Sequence, residues 1–411
     1  MAVKVAYYSP LPGSRSGIAD YSALLLPALR ERIEQVVVAE PGRRAPHADV
    51  SLYHIGNDPD AHGWILDALR ARPGVVVLHE YVLHHLIAGV TIGRGHGRAY
   101  LDAMERELGV VGRLLGLGVL DNLLPLIWET QPERFPLVGT VLDDATALIV
   151  HSRFVEGKAR AAGYGGPIER VPHPAWPTPR SVPAAGLSGE PLIGCFGNLN
   201  MNKRIPQLLE AFASLRRRLP GARLLLVGAA AERFDLGRRL ERLGLGGDSP
   251  ERGVIREGYV TEERMWSLMA ACNMLVNLRY PTMGETSGSV IRGLSLGKPM
   301  IVSDVGWFAE LPDDVALKIP VDEYEAPTLE AALELATQCH KQLGERALAY
   351  VRAEHDLGRS ADAYTAVLET AAGGEAVDDA VLEALARAAA DVGLDDPRPL
   401  ARRAVEAGIV T

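Results

Sequence analysis

Residues Asn277 to Gly306, NLRYPTMGETSGSVIRGLSLGKPMIVSDVG, decide the fold. An apolar strand starting at Met274 runs into a turn of small residues, Gly284, Thr286, Ser287, Gly288 and Ser289, around a lone carboxylate, Glu285, and then into a helix. Small residues at such a junction let the backbone approach a ligand closely. The helix start offers unpaired N–H groups and a positive dipole end to a diphosphate. The turn Gly297, Lys298, Pro299 and the strand Met300 to Ser303 complete a strand, helix, strand unit. The candidate site thus sits at the carboxyl end of a parallel strand, where open α/β sheets bind ligands. A solvated loop with one acidic residue is the plainer reading, but small residues crowd a strand-to-helix junction here rather than a hairpin.

Outward from this unit the same rhythm recurs. Toward the N-terminus of the second half, Leu192 to Phe196 reads as a strand, Gly197 to Arg204 as a loop, Ile205 to Arg218 as a helix and Ala222 to Val227 as a strand. The first half alternates likewise, with apolar runs at Val3 to Tyr8, Val50 to His54, Val75 to His79 and Ala147 to Val150 separated by helical patterns. Such βαβ alternation predicts an α/β chain with two parallel, doubly wound, Rossmann-like sheets. Six prolines between Pro172 and Pro191 block helix and central strand, which marks an interdomain linker. The expected division is 1–175, a linker at 176–190, a second domain at 191–355 and C-terminal helices at 356–411. Val377 to Val410 reads as a further helical appendage with a solvated face.

The chain has 411 residues, 47% hydrophobic and 23% charged, and a net charge of -9. Those values suit two ordinary globular cores and exclude a disordered or low-complexity chain. Residues 1–180 hold 18 basic against 19 acidic side chains, so most of the acid excess lies in the second half. With no basic stripe, nucleic acid is excluded as an expected partner. Cys195, Cys272 and Cys339 are scattered, odd in number and without metal spacing, which points to a cytoplasmic chain without a disulfide framework. The N-terminus starts directly on a strand with no leader pattern, and the longest apolar run, Leu108 to Trp128, carries Arg113 and Asp121. Peripheral contact at the inner membrane face is the most that this run suggests.

Four more clusters fall at expected strand ends. Ser9 to Tyr21 holds Gly13 and Gly17 before a helix start with Asp20 and Tyr21; taken alone it is equally a plain turn, and it lacks the dinucleotide-binding spacing. Asn57 follows a strand, where its amide can both donate to and accept from hydroxyls, while His62 reads as a packing residue. His79 and Glu80 end another strand, with His84 and His85 on the next helix. Three histidines near a carboxylate suggest zinc, but no Cys and no His pair at i, i+4 supports it. Gly197, Asn198, Lys203 and Arg204 lie in the loop after Phe196, which offers a flexible backbone, amides and a cation to a leaving diphosphate.

Taken together, Ser16 to Tyr21, Gly56 and Asn57, His79 and Glu80, Gly197 to Lys203, and Gly284 to Ser289 with Gly297, Pro299 and Gly306 resemble the retaining GT-B glycosyltransferases of family 4. The resemblance covers the chain up to about Ala372. It implies two Rossmann-like domains facing across a cleft, with a nucleoside-diphosphate sugar, UDP- or GDP-linked, on the C-terminal one. No metal or other cofactor is required. The acceptor, a small molecule, a glycan or a lipid-linked compound, binds the N-terminal domain. On this resemblance His79, Lys203 and Glu285 carry the chemistry. Gly17, Gly197, Asn198, Arg204, Tyr259, Gly284, Thr286, Ser287, Gly288 and Ser289 contact the donor, and Asp20, Tyr21, Asn57 and Glu80 the acceptor. Two positions depart from the family pattern: Asn198 stands where an Arg is usual, and Gly293 stands where a second Glu, eight after Glu285, holds the ribose. The competing expectations are a degenerate GT-B protein that binds a nucleotide sugar without transfer, and a sugar-nucleotide epimerase or phosphorylase on the same plan.

Overall fold

The computed structural model describes residues 3–14, 16–180, 187–231, 234–245, 253–373 and 383–390, with residues 393 and 403. The chain divides into two compact units: Met1–Pro172 with Met283–Glu285 and Leu357–Thr411, and His173–Thr282 with Thr286–Asp356.

The first unit is built on a six-stranded sheet of β1 (Lys4–Tyr8), β2 (Gln35–Val38), β3 (Val50–Ile55), β4 (Gly74–Leu78), β5 (Ala145–Val150) and β6 (Ile168–Arg170) in the order β2-β1-β3-β4-β5-β6. All its pairings are parallel. Every residue of β3, β4 and β5 is buried, as a parallel sheet covered on both faces requires, and β-branched runs such as Val75 to Val77 suit that environment. The two-residue period sorts side chains between two helical layers. Val5, Tyr7, Leu52 and Val77 pack with α1 (Gly17–Arg30) and α14 (Leu357–Ala372). Ala6, Tyr8, Tyr53 and Leu78 pack with α2 (Pro59–Ala71), α3 (His84–Thr91) and α4 (Gly97–Leu120). The helix starts are set locally: Ser16 caps α1, Asp58 followed by Pro59 caps α2, and Ser152 caps α7 (Arg153–Ala161). Short turns α5 (Ile127–Thr130) and α6 (Gly139–Leu142) precede β5.

Helix α4 breaks at Gly109, whose φ of 64° no helical residue adopts, and beyond the break Val110, Val111 and Leu114 are exposed. Among the described residues no helix is long and apolar enough to cross a membrane. The C-terminal helices are present, and α14 is more than an appendage: Ala361, Tyr364, Leu368 and Ala371 are buried in the first unit's core. Of the expected helix over 377–410, residues 383–390 are helical and most of the rest lies outside the described residues.

The second unit repeats the plan with β7 (Leu192–Phe196), β8 (Arg223–Val227), β9 (Val254–Glu257), β10 (Met274–Asn277), β11 (Met300–Ser303) and β12 (Ala316–Ile319), in the order β12-β11-β10-β7-β8-β9 and all parallel. Helices α8 (Ile205–Arg218), α9 (Leu236–Arg242) and α12 (Glu325–Gln338) cover one face. Helices α10 (Glu262–Ala271), α11 (Gly288–Ser295) and α13 (His340–Glu354) cover the other. Residues 173–175, expected in the first domain, and 176–180, expected in the linker, group with this unit: Ala175 donates to the His355 carbonyl at 2.8 Å, and the middle of the proline-rich stretch, 181–186, lies outside the described residues. Each sheet has one point where the strand order reverses, β1/β3 in the first unit and β7/β10 in the second. Loops leaving the carboxyl ends at such a point diverge and leave a crevice.

Candidate functional site

In the second unit the loops after β7 and β10 meet at the switch point, tied by Tyr280 N–H donating to the Asn202 carbonyl at 2.8 Å. Lys203 is only 7% exposed. Its backbone N–H donates to Asn200 Oδ1 at 3.0 Å, and its Nζ donates to the Phe196 carbonyl at the end of β7. The loop can fold this way because residue 197 is glycine: its φ is +99°, and a Cβ there would stand 2.3 Å from the lysine Nζ. Burial pushes the Cys195 thiol up, while the charges of Lys203 and Arg279 pull it back, so two cations stand near the end of β7.

Arg204 takes the left-handed conformation at the head of α8, and its guanidinium forms a two-bond ion pair with Glu325, Nε to Oε1 at 2.8 Å and Nη2 to Oε2. It also lies over the Tyr280 ring. Asn198 is exposed, and Tyr259 is 82% exposed on the loop after β9.

Helix α11 begins at Gly288, with the Ser287 hydroxyl accepting from Val290 N–H at 3.4 Å. Ser289 Oγ lies 3.1 Å from Ser287 Oγ and accepts from Asn277 Nδ2 at 2.8 Å, which fastens the end of β10 to the helix start. Asn277 Oδ1 and Thr286 Oγ1 are buried there without a hydrogen-bond partner. Beside Gly288 the buried Arg292 lays its guanidinium 3.5 Å from the centre of the Trp176 ring and pairs with Glu262 at 3.3 Å. At Gly293 a Cβ would come within 2.6 Å of Leu275 Cδ1 and 2.8 Å of Met300 Sδ, so α11 lies flush on the sheet where the family pattern has a glutamate.

Residues 283–285 pack with the first unit. The Met283 carbonyl accepts from Tyr81 N–H at 2.7 Å and Val82 N–H at 3.0 Å, and Glu285 Oε2 accepts from Met283 N–H at 2.7 Å. Gly284 has φ +82°, and a Cβ there would meet Tyr81 Cβ at 2.7 Å.

Also in the first unit, three strands end on histidines at one level: His54 closes β3 one residue early, His79 follows β4 and His151 follows β5. His54 Nδ1 lies 2.9 Å from His79 Nε2, and the His79 and His151 ring centres are 5.1 Å apart. Burial, then the nearby His151 and His62, push the His54 pKa well below 6.5, so His54 is neutral. Tyr21 presents its ring edge to His79, but it is 1% exposed and its hydroxyl bonds Tyr364 Oη at 2.7 Å. Glu80 Oε2 accepts from Asn57 N–H at 2.7 Å, and Asn57 Oδ1 accepts from Leu86 N–H at 3.0 Å near the start of α3. Gly17 and Asp20 are exposed on the first turn of α1.

His62 and His84 are structural, the first bonded to the His54 carbonyl, the second to the Phe135 carbonyl and the Tyr100 hydroxyl. Among the described residues no group of three or more His, Cys, Asp or Glu side chains could hold a metal ion. His54, His151, Arg292 and Asn277 were not singled out as site residues from the sequence. The signal for the first two was there: apolar runs ending in His recur as LYHI, VVLH and LIVH. Arg292 and Asn277 have no such signal, because a charged or amide residue within an apolar stretch looks the same whether or not it faces a site.

Residues 190–338 match the family model described as Glycosyl transferases group 1. Among solved structures, the chain is similar to HepE of Anabaena in complex with UDP and glucose, at 16% identity, with 90% of this chain and 100% of that chain covered and a TM-score of 0.59. It is likewise similar to sucrose-phosphate synthase from Thermosynechococcus elongatus, at 18% identity, 90% and 98% covered, TM-score 0.59. WaaG, a glycosyltransferase involved in lipopolysaccharide biosynthesis, aligns at 15% identity, 89% and 99% covered, TM-score 0.56. No curated protein sequence is matched by the chain. The chain thus shares the GT-B fold of these structures, with two parallel six-stranded sheets, and its second sheet lies inside the span that matches the group 1 glycosyltransferase model.

Proposed function

We propose that the protein transfers a sugar from a UDP- or GDP-linked donor to an acceptor hydroxyl with retention of anomeric configuration and without a metal. The observation that carries this reading is the switch point of the second sheet, where a buried lysine and the capped start of α11 sit on two loops bonded to each other. A departing diphosphate needs positive charge and fixed N–H donors on its oxygens, and Lys203 with the backbone of Ser287 to Ser289 offers both without a divalent ion. UDP is the nucleotide in the HepE complexes, which makes it the first base to test.

In the proposed reaction the bond from the anomeric carbon to the diphosphate oxygen breaks as the acceptor oxygen bonds that carbon from the same face. The acceptor proton passes to the diphosphate. Glu285 and His79 orient sugar hydroxyls; Asn57 and Glu80, already bonded to one another, stand on the acceptor-binding unit.

Thermal-shift and hydrolysis screens against UDP-, GDP-, ADP- and TDP-sugars, with and without EDTA, test the proposal. The expected result is a selective shift with slow, EDTA-insensitive hydrolysis and an α-linked product from an α-linked donor. Lys203→Ala is expected to lower kcat/KM by about a hundredfold or more, the usual scale for losing one charge-stabilising group. Unchanged turnover in that variant, or activity abolished by EDTA, overturns the assignment.

A further inference from the structure

The other switch point, β1/β3 in the first unit, carries a cavity of about 650 Å3 that the reading above leaves unused. Its volume falls in the range of small-molecule sites, roughly 300 to 1,000 Å3. The lining includes Ser9 just after β1, Glu40 just after β2, Asp60 and Trp64 on the first turns of α2, and Arg94 beyond α3. It lies at the carboxyl ends of the strands, the position that in the second sheet picks out Lys203 and Ser287.

Trp64 gives this cavity its chemistry. Its indole N–H donates to the Ala61 carbonyl at 3.1 Å, and its ring packs against Tyr8 with 6.0 Å between centres, so the ring is fixed from behind. It also lines a neighbouring cavity of about 360 Å3 together with Glu40, Arg43, Arg44 and Asp67. A pinned indole offers a broad apolar face at little entropic cost. The face of a pyranose is lined by C–H groups and its rim by hydroxyls, so such a ring stacks on the indole while its hydroxyls meet side chains around the edge. Glu40 and Asp60 accept from hydroxyls, and Arg94 donates to oxygens.

The charge pattern selects the ligand class. Arg94 is the one cation among the described lining residues, and it is paired with Asp67 at 2.8 Å. Glu40 is paired in turn with Arg43 at 2.6 Å, so a phosphorylated or carboxylated ligand would meet guanidinium groups already neutralised and the carboxylate of Asp60, whereas a neutral polyol meets donors and acceptors it can satisfy. We propose that this cavity binds a neutral pyranose unit of the acceptor, with Trp64 as its stacking platform. The proposal rests on the glycosyltransferase reading.

Saturation-transfer NMR on the full chain tests it with methyl glycosides of glucose, mannose and galactose and with their 6-phosphates, alongside UDP binding by calorimetry. The expected result is transfer to at least one neutral glycoside, weakened about tenfold in affinity by Trp64→Ala, preserved in Trp64→Phe and reduced by Asp60→Ala, an exposed position where the fold is not at stake. UDP affinity is expected to stay unchanged in all three variants. Three results overturn the proposal: no transfer to any neutral glycoside while UDP still binds, transfer indifferent to both Trp64→Ala and Asp60→Ala, or tighter binding of the phosphates. Loss of UDP binding by the unaltered protein would instead strike at the glycosyltransferase reading.

Discussion

His54 Nδ1 and His79 Nε2 stand 2.9 Å apart at the ends of neighbouring strands, and His54 is held neutral by burial. A hydrogen bond between the two nitrogens holds the ring plane of His79 and couples its tautomer to that of His54. Removing the partner should therefore act on chemistry more than on donor affinity. His54→Phe, which keeps the volume, is expected to lower kcat about tenfold with donor KM within about twofold, and His54→Gln to recover part of the loss. Steady-state rates for the three proteins decide the matter; a phenylalanine variant as fast as the unaltered protein would show that His54 positions nothing.

Acid should destabilise the first unit over a defined range. His62 and His84 both have pKa values pushed down to about 4, by burial first and against the pull of the backbone carbonyls they bond. The unfolded chain takes up these protons near pH 6.5 and the folded chain only near pH 4. Stability is thus fully present above pH 6.5 and falls through the window between, by up to about 1.4 kcal/mol per pH unit for each residue, before levelling off. Urea unfolding at a series of pH values measures the slope, and His62→Gln is expected to reduce it by up to one proton.

Gly197→Ala should damage donor binding while sparing the fold. The new methyl group would stand 2.3 Å from the Lys203 ammonium and push it aside, and the positive φ adds about 1 kcal/mol of strain. Calorimetry with UDP is expected to show a loss of affinity of about tenfold or more with circular dichroism unchanged, and full affinity would mean that Lys203 does not face the diphosphate.

Restoring the glutamate of the family pattern should do harm. In Gly293→Glu even the Cβ collides with Leu275 and Met300, and the carboxylate would be forced against the sheet. A stability loss of about 3 kcal/mol or more is expected, with no gain in nucleotide affinity. A variant that binds UDP more tightly at unchanged Tm would refute this account of the departure.

The alternation of apolar runs with helical patterns was sufficient to read both sheets, because fully buried parallel strands leave an unbroken apolar signature of fixed length. The strand ends that lead into His79 and into the loop of Lys203 were legible for the same reason. What the chain did not reveal was partnership across sequence distance. Arg204 looks like a cation at the edge of a phosphate loop, and its bond to Glu325, 121 residues away, has no local trace. Tyr21 reads as an aromatic at a helix start beside a ligand loop and is sealed by Tyr364. Residues 283–285 sit within a segment whose pattern belongs wholly to the second sheet, yet they pack with the first unit, where the Met283 carbonyl accepts from Tyr81 and Val82.

Helix α14 closes one face of a sheet whose first strand begins at Lys4. On the ribosome, β1 to β6 would all have emerged by Arg170, yet the face lined by Tyr7, Leu52 and Val77 would lack its last cover until about two hundred further residues had been made. The N-terminal half is thus a late-maturing piece of an early-made chain, and a nascent polypeptide stopped short of Tyr364 would display a greasy sheet to whatever chaperone is at hand.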